Sequence, residues 1–221
     1  MNTQEPGFVG LIMTCDRLSF GQRSGAETIA GTIASRIEVA RGLLHTAFAE
    51  RGRICALGSG DFFEGERLIG RDLSNVTLVD TDQIRLDGIR QKHRLQIVTE
   101  CAEPATFLRR SGRRREYFDL IYALFLPETL SDGELVDLLR GAAASLRRSG
   151  LALVANTNAG AIEMESPSGN SSARRFARSP DELAGAAEKA GLTAEVWLDS
   201  TGSTAFALIR PPPGRETSTR L

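Results

Sequence analysis

The sequence predicts a doubly wound α/β domain: a mostly parallel seven-stranded sheet with a helical segment ahead of it. Three observations carry this. Short apolar, β-branched runs alternate with amphipathic helical stretches; the first run ends in a glycine turn; and the last two runs face each other across a tight turn. At 221 residues the chain suits one domain with a full hydrophobic core.

Residues 25–50, GAETIAGTIASRIEVARGLLHTAFAE, set Ile29, Ile33, Ile37, Ala40, Leu44 and Phe48 at helical spacing, as one long helix or two joined near Gly31. ICALG at 54–58 reads as the first strand, VTLVD at 76–80 as the second and LQIV at 95–98 as the third. FFEGERLIGRDL can make a helix between the first two, and DQIRLDGIRQK makes one between the next. FDLIYALFL at 118–126 is the fourth strand, SDGELVDLLRGAAASLRRS a helix with Ser131 as N-cap, and LALVAN at 151–156 the fifth strand.

Residues 157–178, rich in Asn, Ser, Gly and Arg, read as a long loop. SPDELAGAAEKAGL follows as a helix with Ser179 as N-cap, Pro180 at its first position and Gly191 at its end. AEVWLDS and TAFALIR, around Thr201-Gly202, form an antiparallel pair. PPPGRETSTRL has nothing to bury and reads as a disordered tail. The expected division is a helical lid or dimer segment over 1–50, a ligand-binding domain over 51–210 and the tail over 211–221.

Apolar residues make up 41% of the chain and charged residues 25%, with a formal net charge of −1, so no field draws in nucleic acid. The three cysteines, Cys15, Cys55 and Cys101, have no CxxC pairing and suggest neither a disulfide frame nor a metal site. No stretch reaches the roughly eighteen apolar residues of a membrane span, and MNTQEPGFVG lacks a signal-peptide pattern. A cytoplasmic location is expected.

The chemistry points to the first turn, Gly58-Ser59-Gly60. A strand running into G-x-G lets backbone N–H groups approach a ligand and sets a helix N-terminus beside it. A dinucleotide fingerprint needs a third glycine at 63, where Phe63 stands, and this weakens an NAD reading. Asp80 closes the second strand twenty positions past Gly60, where a carboxylate accepts hydrogen bonds from both ribose hydroxyls of an adenosine. The alternative is a helix cap, for which Asp82 is equally placed.

Over residues 50–210 the chain resembles class I S-adenosylmethionine-dependent methyltransferases of Rossmann-like fold. The matching pieces are ICALGSG, VTLVDTD, IVTECAEPATFL, FDLIYALFLPETLSD and LRRSGLALVAN, with AEVWLDSTGSTAFALIR as the closing strand pair. The resemblance implies S-adenosylmethionine as cofactor. It implies contacts from Leu57, Gly58, Ser59 and Gly60 in the turn, from Asp80, Thr81 and Asp82 at the ribose, from Glu100, Cys101 and Ala102 at the adenine, and from Ala123.

Within that superfamily, QRSG, SRIEVARGLL and RFARSPDELAGAAEKAGL are similar to small bacterial enzymes of the extracellular-factor, 3-hydroxy fatty acid methyl ester type. The chain departs from the pattern at Ala56, where an acid two positions before the first glycine is usual, and at Cys101, where the adenine segment usually has an acid. GSGDFFEG and VDTD also resemble nicotianamine-synthase-like enzymes, which transfer the aminobutyryl arm of the same cofactor. A catalytically silent, methyltransferase-like subunit is a third reading.

Methyl transfer needs the acceptor aligned, and a carboxylate acceptor needs no general base. Tyr122 and His45 are the catalytic candidates, with core packing as the alternative for each. Asn156 and Asn158, just past the fifth strand, are candidates to orient a substrate or to satisfy turn backbone. Arg23 and Arg175 are candidates to hold an acidic substrate, or ordinary surface arginines. His93 reads as solvated, and Arg109, Arg110, Arg113, Arg114 and Arg115 as a solvated face. The expected acceptor is a small molecule, and the N-terminal helix is open to serving as a homodimer contact.

Overall fold

The structure, a computed structural model, describes residues 25–68, 71–94, 96–111, 117–161 and 176–211, and for 25–31, 67 and 111 the backbone alone. The tail over 212–221, Arg23, Arg175, Cys15 and Arg113, Arg114 and Arg115 lie outside these residues.

Seven strands form one sheet: β1 (Ile54–Leu57), β2 (Leu73–Asp80), β3 (Ile97–Cys101), β4 (Phe118–Ala123), β5 (Leu146–Thr157), β6 (Ala194–Leu198) and β7 (Thr204–Ile209). Their order is β3-β2-β1-β4-β5-β7-β6. The first five run parallel, and β7 is antiparallel to both β5 and β6. The sheet is therefore mixed, with its hairpin at one edge as the sequence suggests.

Strand alternation divides the core into two layers. Ile54, Ala56, Leu120 and Tyr122 pack with Leu43, Leu44 and Ala47 of one continuous helix, α1 (Gly25–Ala49), and with Leu86 and Ile89 of α2 (Gln83–Lys92). Cys55, Leu57, Ile121 and Ala123 face α3 (Pro104–Ser111), α4 (Asp132–Ser145) and α5 (Pro180–Lys189). Among the described residues no helix is long and apolar enough to cross a membrane.

Several boundaries differ from the sequence reading, each for a local reason. After β1 the chain makes a six-residue 3₁₀ helix, Phe63–Leu68, in place of an α-helix. β4 stops at Ala123, and Pro127 lies in a second 3₁₀ turn, Leu126–Thr129. α4 ends at Ser145 because Leu146 pairs with Phe118, and β5 thereby absorbs the LRRS stretch read as helix. Unforeseen α3 starts at Pro104, where the Glu103 carboxylate accepts from the Ala105 and Thr106 amides at 2.8 and 2.6 Å.

Contrary to the sequence reading, His93 is buried. Its ring meets Phe62 edge-on, centroids 5.6 Å apart, and Nδ1 has no hydrogen-bond partner among the described residues. Burial, with the neighbouring Lys92 charge, lowers its pKa below the usual histidine value. Phe62, also buried, lies two residues past Gly60 and adopts a φ of +53°.

Two predictions follow from these elements. Ser131 and Ser179 each close a capping box with the glutamate three residues on, so Ser131→Ala and Ser179→Ala should each cost about 1 kcal/mol in urea unfolding. For His93, both states are neutral above about pH 6.5; below it the unfolded chain takes a proton that the folded one resists, so stability drops as pH falls. Between pH 7.5 and 5.5 the wild type should lose roughly 2–4 °C more in Tm than His93→Phe, the shift that about 1 kcal/mol brings in a domain of this size.

Candidate functional site

The strand order reverses between β1 and β4, so the loops after these strands part and leave a crevice at their C-terminal ends. The first wall is the turn after β1. Gly58 and Gly60 take φ values of +61° and +53°; a Cβ on Gly58 would strike Leu126 at 2.8 Å, whereas one on Gly60 would meet nothing within 4 Å. Between them the buried Ser59 hydroxyl has no hydrogen-bond partner among the described residues.

Asp80 ties this turn to β2. One carboxylate oxygen accepts from the Gly60 amide at 3.1 Å and the other from the Asp82 amide at 3.0 Å, while the Gly58 amide donates to Val79 O at 2.8 Å. The helix-capping alternative for Asp80 falls to Asp82, whose side chain accepts from the Arg85 amide at 3.0 Å and caps α2. Each Asp80 oxygen retains a lone pair, so a diol has a preset double acceptor.

The next wall is the end of β3. The Ala102 amide donates to Asp80 O at 3.0 Å, and Cys101 Sγ lies 3.6 Å from Thr81 O. Glu100, Cys101 and Thr81 are exposed and Asp82 half-buried, open to a ligand laid along this edge. Leu57 and Ala123 are buried in the layer beneath, so backbone is what they can offer.

Two buried arginines, which local sequence reading missed, shape the segment after β4. Arg36 of α1 donates to Leu124 O at 2.8 Å and to Thr157 Oγ1 at 2.9 Å, pairs with Glu128, and lies over the Phe125 ring. Arg178 donates to Pro127 O at 2.8 Å and Leu130 O at 2.6 Å and pairs with Asp132 at 3.0 Å. The loop is thus held from both flanks, and α1 is fastened over the ends of β4 and β5.

The remaining candidates separate clearly. Asn158 spends its side chain on backbone, donating to Gly202 O at 2.7 Å and accepting from the Gly160 amide at 3.2 Å. Asn156 is fully buried, and neither of its amide atoms has a partner among the described residues. His45 is exposed on α1. The Tyr122 phenol donates to Glu64 at 2.9 Å, and both side chains are buried beside α1. Burial and the adjacent carboxylate raise the Tyr122 pKa well above its usual value, so it stays a donor at neutral pH. Glu64 was not singled out from sequence; its signal is the acid four residues past Gly60, which only its packing makes meaningful.

No protein-family model matches the sequence, and no curated protein matches it. Solved structures do match in fold. A TehB-like S-adenosylmethionine-dependent methyltransferase from Corynebacterium glutamicum shares 17% identity at a TM-score of 0.52, over 72% of this chain and 80% of that one. The magnesium protoporphyrin IX methyltransferase from Synechocystis, solved with S-adenosylhomocysteine bound, shares 12% at 0.58, over 87% and 90%. The CcbJ methyltransferase from Streptomyces caelestis shares 18% at 0.58, over 80% and 89%. At these identities the likeness shows the architecture, and the chain has the Rossmann-like class I fold of S-adenosylmethionine-dependent methyltransferases.

Proposed function

We propose that the protein is an S-adenosylmethionine-dependent methyltransferase acting on a small molecule at oxygen, with a carboxylate as the first acceptor to test. The observation that carries the cofactor assignment is the Asp80 carboxylate, which is not used as a helix cap and is aimed by two backbone amides beside an open glycine turn. The fit is supported by the unpartnered Ser59 hydroxyl, a donor suited to a ligand carboxylate, and by the open space at Gly60.

In this reading Asp80 holds the ribose hydroxyls, Ser59 and the turn amides hold the methionine end, and the Thr81, Glu100, Cys101 and Ala102 edge takes the adenine. When bound, the cofactor supplies an electrophilic methyl group on a sulfonium, so the protein's task is alignment and exclusion of water. Arg36 and Arg178 fix the loop from Leu124 to Ser131 against which an acceptor would lie, and α1 acts as the roof. Both guanidiniums are engaged by carbonyl and carboxylate groups, so they act as clamps for the loop. The orienting role proposed for Asn156 rests on its amide atoms, which have no partner among the described residues and lie, with Ala152 and Val154, on the sheet face away from α1.

Calorimetric titration with S-adenosylmethionine, S-adenosylhomocysteine and NAD in parallel tests the assignment. The expected result is micromolar binding of the first two and none of NAD. Asp80→Ala should weaken both by at least about tenfold, the worth of a charge-assisted hydrogen bond. Unchanged binding in that variant would refute the ribose role, and a wild type that binds none of the three favours a silent, partner-dependent subunit.

A further inference from the structure

Three carboxylates are buried among the described residues: Asp80, Asp199 and Glu64. Asp199 holds the turn between β6 and β7 through Oδ1, which accepts from the Ser203 and Thr204 amides and the Thr201 hydroxyl at 2.9–3.1 Å, while its Oδ2 has no partner among the described residues. Asp80 is held by amides, as described above. Like these two, Glu64 makes no ion pair among the described residues; it differs in what it accepts from, the neutral Tyr122 phenol at 2.9 Å and its own backbone amide, with no turn to hold.

Leaving a carboxylate in such surroundings is costly unless some cation repays it. Burial raises the Glu64 pKa, and Arg41 of α1 opposes the shift through its charge, yet its Nη atoms are turned to Glu38 and to Phe63 O. Glu64 also sits where a cofactor's charge would be felt. It lies four residues past Gly60, and Tyr122 is paired in register with Ala56, two residues before Gly58. The carboxylate is therefore fixed on the α1 face of the sheet, near the ends of β1 and β4. S-adenosylmethionine carries a sulfonium cation, and its product has a neutral thioether in the same place; at low effective dielectric a nearby buried charge distinguishes the two.

We infer that Glu64 is the charge-selecting residue of the cofactor site, favouring the cationic S-adenosylmethionine over its neutral product and so easing product release. This rests on the cofactor assignment above. Because the two ligands share adenine, ribose and amino-acid ends, the role shows as a change in their affinity ratio and not in either affinity alone.

Calorimetric titration of both ligands at pH 8 into wild type and Glu64→Gln is the test, with thermal unfolding as a check of folding. Glutamine keeps an oxygen for the Tyr122 phenol but carries no charge. S-adenosylmethionine should weaken about tenfold and S-adenosylhomocysteine less than twofold. Arg41→Gln, which removes the opposing cation, should move the ratio about threefold the other way, and it serves where Glu64→Gln does not fold. A ratio unchanged in the variants overturns the inference and leaves the cofactor assignment standing; a wild type that binds neither ligand overturns both.

Discussion

The Asp80 carboxylate is the contact on which the open end of the sheet depends. Where β1 and β2 stop, their chains must turn within a few residues, and the amides freed there need acceptors. One carboxylate serves both turns, taking the Gly60 amide with one oxygen and the Asp82 amide with the other. Gly58 is also held by its bond to Val79 O and by Leu126, but Gly60, where a Cβ would touch nothing, has this bond to keep its left-handed conformation. The same two amides fix the direction of the carboxylate, so the group that orders both turns is itself held at the crevice after β1 and β2.

The opposite wall is ordered by charge. The segment after β4 contains a proline, a 3₁₀ turn and several backbone carbonyls without strand partners, and two buried guanidiniums answer those carbonyls. A buried cation is tolerable only when its hydrogen-bonding capacity is matched, and Arg36 and Arg178 each combine carbonyl oxygens with a carboxylate. Arginine suits this because its planar fork reaches several acceptors in fixed directions. The clamp joins residues 36, 124, 128 and 157 on one side and 127, 130, 132 and 178 on the other, making the wall a product of tertiary contact.

That distinction explains what was legible in the sequence. Strands, capping serines and the spacing from Gly60 to Asp80 are local or nearly local patterns, and the structure has each, with β2 starting earlier, at Leu73, and β3 displaced to Ile97–Cys101 from the expected 95–98. The assignment of the cap to Asp82 and not Asp80 was undecided from sequence, because both are well placed and only the geometry chooses. Arg36 hid as a polar position in an amphipathic helix, and Glu64 as a surface-type charge in a short segment. His93 between Lys92 and Arg94 has every local mark of a solvated turn, yet Phe62, thirty-one positions earlier, covers it. Strand boundaries shifted for a related reason: Leu146 follows its partner Phe118 and not its own neighbours.

The first crossover carries the last step. A dinucleotide site sets its pyrophosphate against the N-terminus of an α-helix that packs tightly on the first strand, with a small residue at the contact. Here Phe63 is 44% exposed, Phe62 turns inward, and Gly65 is crowded by the Phe62 ring, where an added Cβ would lie 2.0 Å from a ring carbon. The six-residue 3₁₀ helix that results offers a weak dipole and few aligned amides for a diphosphate. It instead brings the Glu64 carboxylate under α1 beside Tyr122. A turn lacking the dipole that favours a doubly charged anion, with a carboxylate close behind it, is electrostatically matched to a ligand whose reactive centre is a cation.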